Sequence, residues 1–290
     1  MKLILPILSL ASAQVRTEFS NTFEAAQGGD TFSLKRLRRS AKEHNAQAVD
    51  GWQKSALHYA AEYGHSDVAD TLINSKADLM AADYKGRTPL MLAAKKGHIA
   101  VLQNLIVKCN KDDNCNNNQQ DENGKTALHY AAENGQVQVI QVLCNNINVQ
   151  ETDNGGKTAL MLAASRGHGE AVLKLNSVCG ANENKMVDEK GMCAGMHAAA
   201  KGHQSIFNIL QGRSRPLMTP VDGNLPTDNL GRNVYHHIVN SGNNNFLQSA
   251  LKSASDAAMN ADNNGESLHH YAARNGNRDA LSILNFSENS

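Results

Sequence analysis

The chain is poor in aromatic residues, which make up 4% of its 290 positions, with a single tryptophan and only five prolines. So few large rings exclude one deep globular core of the kind a chain this long would otherwise build. Hydrophobic residues still reach 41%, too many for a disordered chain. Many small, shallow cores stacked in a row reconcile the two. Charge of one sign is missing as well: 28 basic residues stand against 28 acidic ones. No net field therefore draws the chain to nucleic acid or to an anionic membrane, and neither partner is expected. No apolar run approaches the roughly 20 residues that span a bilayer, so stable membrane insertion is not expected either.

Sequence motifs of catalysis are also absent. There is no G-x-S-x-G, no H-E-x-x-H, no phosphate-binding GxxxxGK[ST] and no G-x-G-x-x-G. The chain is expected not to be an enzyme and to carry no cofactor and no metal.

The first residues have their own pattern. Lys2 precedes the apolar run Leu3 to Leu10, followed by Ala11-Ser12-Ala13 and Gln14. A positive residue, a short apolar segment and a small-x-small site form a signal peptide over 1–13, which places the protein in the periplasm or outside the cell. The alternative is a loose N-terminal segment resting on the first folded unit of a cytoplasmic protein. Five cysteines are an odd number, so at least one is unpaired or intermolecular. Cys109 and Cys115 flank a polar loop, CNKDDNC, that a disulfide could close. Cys144 and Cys193 fall at inward positions and are expected to be small buried hydrophobes.

Self-similarity settles the architecture. Segments begin at Asp50, Asp83, Asp121, Asp153, Asp188, Asp228 and Asp262, at intervals of 33, 38, 32, 35, 40 and 34 residues. The clearest reads DYKGRTPLMLAAKKGH from Asp83 to His98; KTALHYAAENG at Lys125 and KTALMLAASRGH at Lys157 repeat it. Ser55, Thr88, Thr126, Thr158 and Ser267 stand where a hydroxyl caps a first helix, and Pro89 fits its first position. Gly64, Gly97, Gly135, Gly167, Gly202, Gly242 and Gly276 each follow their Asp by fourteen residues and end that helix. A second helix carries apolar residues at helical spacing, as in Val101, Leu102, Leu105 and Ile106.

This pattern resembles the ankyrin consensus of a turn, TPLH-x-A, a glycine and a second helix. The resemblance implies an all-α ankyrin-repeat solenoid of helix pairs with short β-turn connections. Residues 14–49 form a degenerate N-terminal capping unit with Phe23, Ala25-Ala26, Leu34 and Leu37 in register. Repeats follow at 50–82, 83–120 (with a loop insertion), 121–152, 153–187, 188–227 (with a proline-rich insertion), 228–261 and 262–290. The pattern erodes late: Gly195 replaces Leu, Ile238-Val239 replace the Ala pair, and His269 stands at a Leu position.

Twelve histidines invite a metal hypothesis, but their positions oppose it. His58, His129, His236 and His270 fill the TPLH slot; His65, His98, His168 and His203 follow the helix-ending glycine. In ankyrin proteins both slots hydrogen-bond the loops of adjacent repeats.

The resemblance also implies a contact surface of turn tips and first helices, and a macromolecular partner. Variable positions in those places give Trp52, Tyr63, Tyr84, Lys85, Arg87, Lys96 and Arg166 as candidate partner-binding residues. Leu217 and Met218, apolar residues on the proline-rich insertion, join them. A row of Lys54, Arg87, Lys125, Lys157 and Arg232 along the turns favours an acidic partner. In size, in its apolar start and in its all-repeat content, the chain is similar to exported bacterial ankyrin proteins of the self-protection type. Those shield a predatory bacterium from its own peptidoglycan endopeptidases. The expected function is therefore an exported module, monomeric when free, that binds and inhibits a periplasmic peptidoglycan hydrolase. The alternatives are a host-directed effector, or a scaffold without inhibitory activity.

Overall fold

In the computed structural model, residues 22–33, 35, 48–178, 186–213, 225–252 and 256–287 are described. The signal peptide expected at 1–13 lies outside them, as do Leu217 and Met218. The fold is all-α. Each Asp-initiated unit contributes two antiparallel helices: Ala56–Tyr63 with Ser66–Asn74, Pro89–Lys96 with Ile99–Cys109, and Ala127–Glu133 with Val137–Cys144. Then come Ala159–Arg166 with Gly169–Val178, Ala194–Ala200 with Gln204–Arg213, Val234–Ser241 with Asn244–Leu251, and Leu268–Arg274 with Arg278–Ser287. A short helix at 22–28 precedes them, with Ala25 and Ala26 buried and the Phe23 ring 6.0 Å from that of Tyr59.

The helices form two compact bodies, residues 1–131 with 145–148 and residues 132–144 with 149–290. In the first, helix Ala56–Tyr63 packs on Pro89–Lys96, and Ser66–Asn74 on Ile99–Cys109. The pairs Ala60-Ala61 and Ala93-Ala94 are fully buried, and only side chains this small let the helices come so close. In the second body, Ala194–Ala200 packs against both Ala159–Arg166 and Val234–Ser241. Gly195, Ile238 and Val239 sit in helices packed on one another, and all three are buried. These two departures from the repeat pattern stay inside the second body, while the third, His269, is half-buried.

Each first helix starts and stops for local reasons. Ser55 and His58 close a capping box, the Ser55 N–H donating to His58 Nδ1 at 3.0 Å. The Thr158 hydroxyl accepts from Met161 N–H. At the other end Gly64 lies at φ +81°, where L side chains rarely go. A Cβ there would also stand 2.5 Å from Nδ1 of His98, whose ring lies under the turn and whose Nε2 meets the Glu62 carbonyl at 3.0 Å. The glycine and the histidine that follows the next helix are two halves of one contact between units.

The turns are built on the aspartates. In every unit Oδ1 accepts two backbone N–H groups, from residues two and four further on; for Asp83 these are Lys85 at 2.9 Å and Arg87 at 3.0 Å. The second oxygen takes a side-chain donor of variable kind. Tyr59, Tyr130 and Tyr271, nine residues on, donate to Asp50, Asp121 and Asp262. His197 lies 2.9 Å from Asp188 Oδ2. Arg87 and Arg232, four residues on, grip Asp83 and Asp228 through two nitrogens each. Burial alone would raise these two carboxyls; the arginine hydrogen bonds hold them below the usual carboxylate range.

Among the described residues, three cysteines are disulfide-bonded. Cys109 and Cys115 are joined, closing the polar loop with their Cα atoms 5.1 Å apart. Cys144 is disulfide-bonded and half-buried, which corrects the expectation of a small buried hydrophobe. It is the last residue of its helix, where the side chain is no longer enclosed on all sides and can reach another sulfur. Cys193 is free and buried, and burial pushes its thiol pKa up.

His237 yields a pH prediction. Its Nε2 lies 3.2 Å from Asp228 Oδ2 without completing a hydrogen bond, and Arg232 reaches the same oxygen. Burial, with Arg232 adding to it, pushes the imidazole down to about 4. Below about pH 6.5 the unfolded chain takes up a proton that the folded one refuses, so stability falls as pH drops from there towards 4. His58, His197 and His236 are shifted the same way, first of all by burial. Replacing His237 with Leu, the residue at the same position in two other units (Leu92 and Leu162), should reduce the loss between neutral pH and mild acid by about 2 kcal/mol. Urea unfolding at the two pH values measures it; an unchanged difference refutes it.

Candidate protein-binding surface

The first body carries a compact group of exposed side chains at two neighbouring turns. Asp50 Oδ1 accepts from Trp52 N–H at 2.8 Å and from Lys54 N–H at 2.9 Å, which turns the Trp52 side chain away from the helices. The next turn is laid against it by a backbone bond, Tyr84 N–H donating to the Trp52 carbonyl at 3.0 Å. The two rings therefore meet, centroids 5.3 Å apart and planes tilted by 53°. Trp52 is 61% exposed and Tyr84 41%, so the pair packs on itself and leaves its outer faces to solvent. Lys85 extends over the Tyr84 ring, its ammonium 5.2 Å from the centroid. The Lys85 carbonyl in turn accepts from Glu122 N–H, tying in the third turn.

Gln53, beside Trp52, sits at φ +57°. Its position, three residues after the Asp, is glycine in every later unit: Gly86, Gly124, Gly156, Gly191, Gly231 and Gly265, all at positive φ. A left-handed conformation costs a residue with a Cβ roughly 1 kcal/mol. The chain bears this strain at the turn that presents its only tryptophan.

The other sequence-derived candidates divide. Lys96 is exposed at the end of its helix. Tyr63 is half-exposed, but its hydroxyl accepts from Gln27 Nε2 at 3.2 Å and its ring stacks on His65, engaging it with the N-terminal unit. Arg87 was expected to be a free contact residue; instead its guanidinium is spent on Asp83, with the side chain only 13% exposed. The basic row of turn residues loses Lys54 and Arg232 in the same way, to Glu62 and Asp228. Arg166, in the second body, stays exposed but pairs with Glu133. The sequence inference overlooked Leu230, which is exposed two residues after Asp228, where Trp52 stands after Asp50. The same positional rule finds it.

Nothing among these groups suggests bond-making chemistry. Among the described residues no group of three or more His, Cys, Asp or Glu side chains could hold a metal ion. The histidines of the first helices serve junctions: His58 Nε2 meets the Arg87 carbonyl at 2.9 Å, and His236 Nε2 meets the Glu266 carbonyl at 3.3 Å. No helix among the described residues is long and apolar enough to cross a membrane.

Paired helices, aspartate turns and a contact group on the turn tips define a repeat protein that binds other proteins. The profile of ankyrin repeats in three copies matches residues 22–117 and 98–185, which together span more than half of the chain. The chain belongs to the ankyrin-repeat family, whose repeats are protein-binding modules. Among known proteins it is similar to a probable E3 ubiquitin-protein ligase of Oryza sativa subsp. japonica, 34% identical over 120 residues, covering 41% of this chain and 22% of the relative. It is also similar to the human transient receptor potential cation channel subfamily A member 1, 40% identical over 94 residues, 31% of this chain and 8% of the channel. An alpha-latrotoxin of Latrodectus hasselti is 29% identical over 126 residues, 43% of this chain and 9% of the toxin. The chain thus spans less than a quarter of the length of these relatives.

The strained turn gives a prediction. Gln53→Gly should raise the unfolding free energy by about 1 kcal/mol, seen as a higher urea midpoint, because it removes the left-handed penalty. A lower midpoint would show that Gln53 makes a compensating contact and is not strained.

Proposed function

We propose that the protein is an exported ankyrin module that binds an enzyme of the bacterial envelope and restrains it. The observation that carries this reading is the exposed Trp52–Tyr84 pair with Lys85 beside it. Two rigid rings bury much area at little entropic cost, and aromatic residues dominate the energetics of protein interfaces. The cation at their edge favours a partner whose apolar pocket is bordered by carboxylates. Export is supported by the signal-like start and by the oxidised state of Cys109, Cys115 and Cys144, since disulfides persist in oxidising compartments and are rare in cytosol.

The similarity to self-protection ankyrin proteins makes a peptidoglycan endopeptidase the first partner to test. Restraint needs no chemistry from the module. A standard interface covers about 800 Å² on each partner, enough to close a substrate cleft. The plant ligase resembles the chain only over 120 residues of its repeats, so ligase activity is not carried over.

Capture from the native envelope with the full chain as bait, followed by mass spectrometry, identifies the partner. Trp52→Ala combined with Tyr84→Ala should then raise the dissociation constant at least about tenfold, with the circular dichroism spectrum unchanged. Wild-type protein should suppress release of fragments from purified peptidoglycan by the captured enzyme, and the double variant should not. Binding with undiminished hydrolysis would leave a scaffold and refute restraint. Export has its own measurement. Thiol alkylation of the denatured, unreduced protein should label Cys193 and spare Cys109, Cys115 and Cys144, and labelling of all four would refute residence in an oxidising compartment.

A further inference from the structure

The two turns that carry Trp52 and Tyr84 are held together through the side chain of His58. This residue lies in the first turn of helix Ala56–Tyr63, is fully buried, and meets a different turn with each ring nitrogen. Nδ1 lies 3.0 Å from Ser55 N and 2.8 Å from the Ser55 hydroxyl oxygen, at the end of the turn opened by Asp50. Nε2 lies 2.9 Å from the carbonyl of Arg87, at the end of the turn opened by Asp83. A backbone N–H can only donate, so Nδ1 is the acceptor and Nε2 carries the hydrogen that goes to Arg87. Ser55 is itself buried, so water does not replace a lost acceptor there.

This arrangement fits the neutral ring alone. A proton added at Nδ1 sets two donors, Nδ1–H and the Ser55 N–H, against each other, and the hydroxyl must turn its own hydrogen away. A buried donor without an acceptor is costly, so the protonated ring is driven from its place between the turns. The next unit gives the contrast. Met91 fills the same position, its sulfur accepting the Thr88 N–H at 3.5 Å, and a thioether takes no proton. The titratable junction therefore lies between the two turns that bear the rings.

Burial, the largest influence on His58, lowers its pKa from the usual 6.5; the Arg87 carbonyl and Asp83 act the other way, while Lys54 and Arg87 add to the lowering. The elements packed on its helix bring further charges: Lys95 and Lys96 from Pro89–Lys96, Asp67 and Asp70 from Ser66–Asn74, and Lys108 from Ile99–Cys109. Glu24 comes from the short helix at 22–28, whose Phe23 meets Tyr59. The junction is thus closed at neutral pH and opens as pH falls below the usual histidine range. We propose that His58 is an acid-operated latch on the Trp52–Tyr84 surface: a proton on Nδ1 lets the first turn part from the second, and the grip on a partner weakens. The regulation rests on the reading of this ring pair as the contact; the latch itself does not.

Trp52 is the chain's only tryptophan and stands against Tyr84, so its emission reports the latch directly. On the full chain, taken from about pH 8 to 5, the emission should shift in a one-proton transition while the far-UV circular dichroism stays constant. His58→Gln keeps an acceptor for Ser55 and a donor for Arg87 but takes no proton, and should abolish the transition. His58→Met, which installs the residue of the next unit, should do the same and serves if the glutamine variant does not fold. An emission that is flat across the range overturns the proposal, and so does a transition that survives in these variants. With the captured partner, the dissociation constant of the wild type should rise at least about tenfold over that range relative to His58→Gln. A transition in emission without that difference in affinity overturns the regulation. If Trp52→Ala with Tyr84→Ala also leaves affinity unchanged, the ring pair is not the contact, and it is the reading of the surface that has failed.

Discussion

Everything in the molecule depends on a carboxylate that accepts two backbone N–H groups. Oδ1 of each turn aspartate fixes the path of the five residues it opens, and that path sets where the first helix begins and where the tip points. A buried carboxylate with a half-satisfied head would be costly, so the second oxygen demands a donor. The chain supplies it from two directions, an arginine four residues on or a tyrosine or histidine nine residues on. Leu92 and Met192 show the exchange at work: where the later position is apolar Arg87 holds the oxygen, and where the earlier one is apolar His197 lies against it.

That constraint also decides which charges are free for a partner. A cation four residues after an aspartate looks solvent-facing in a linear pattern, yet in Arg87 and Arg232 it is the turn's own counter-ion. At the tips of the first two turns the side chains left to a partner are Trp52, Tyr84 and Lys85, one ring pair and one ammonium. The surface offered to another protein is accordingly smaller and more aromatic than a count of basic residues suggests.

The fold was legible because its determinants are local and periodic. An aspartate, a capping hydroxyl, an alanine pair and a left-handed glycine each act within one unit, so their spacing alone reveals them. The site was legible in part. The exposure of Trp52 and Tyr84 follows from their place on the turn, and the rule that found them also reaches Leu230. Arg87 was misjudged because its partner lies four residues away in a turn, where the helical four-residue rule does not apply. Cys144 was misjudged because a position that is buried in one unit, as at Ile106, becomes half-open where the helix ends at that residue. Such facts belong to packing between units, which no single period records.

The loop closed by Cys109 and Cys115 bears on how such a chain can vary. The extra residues between the second and third turns fold back on themselves, and the bond from Glu122 to Lys85 forms as if they were absent. At the third aspartate of the first body spacing is reset, so the extra length is discharged at the margin and does not displace the next turn. A segment can therefore be grafted or lost at this joint while the units on either side keep their alignment.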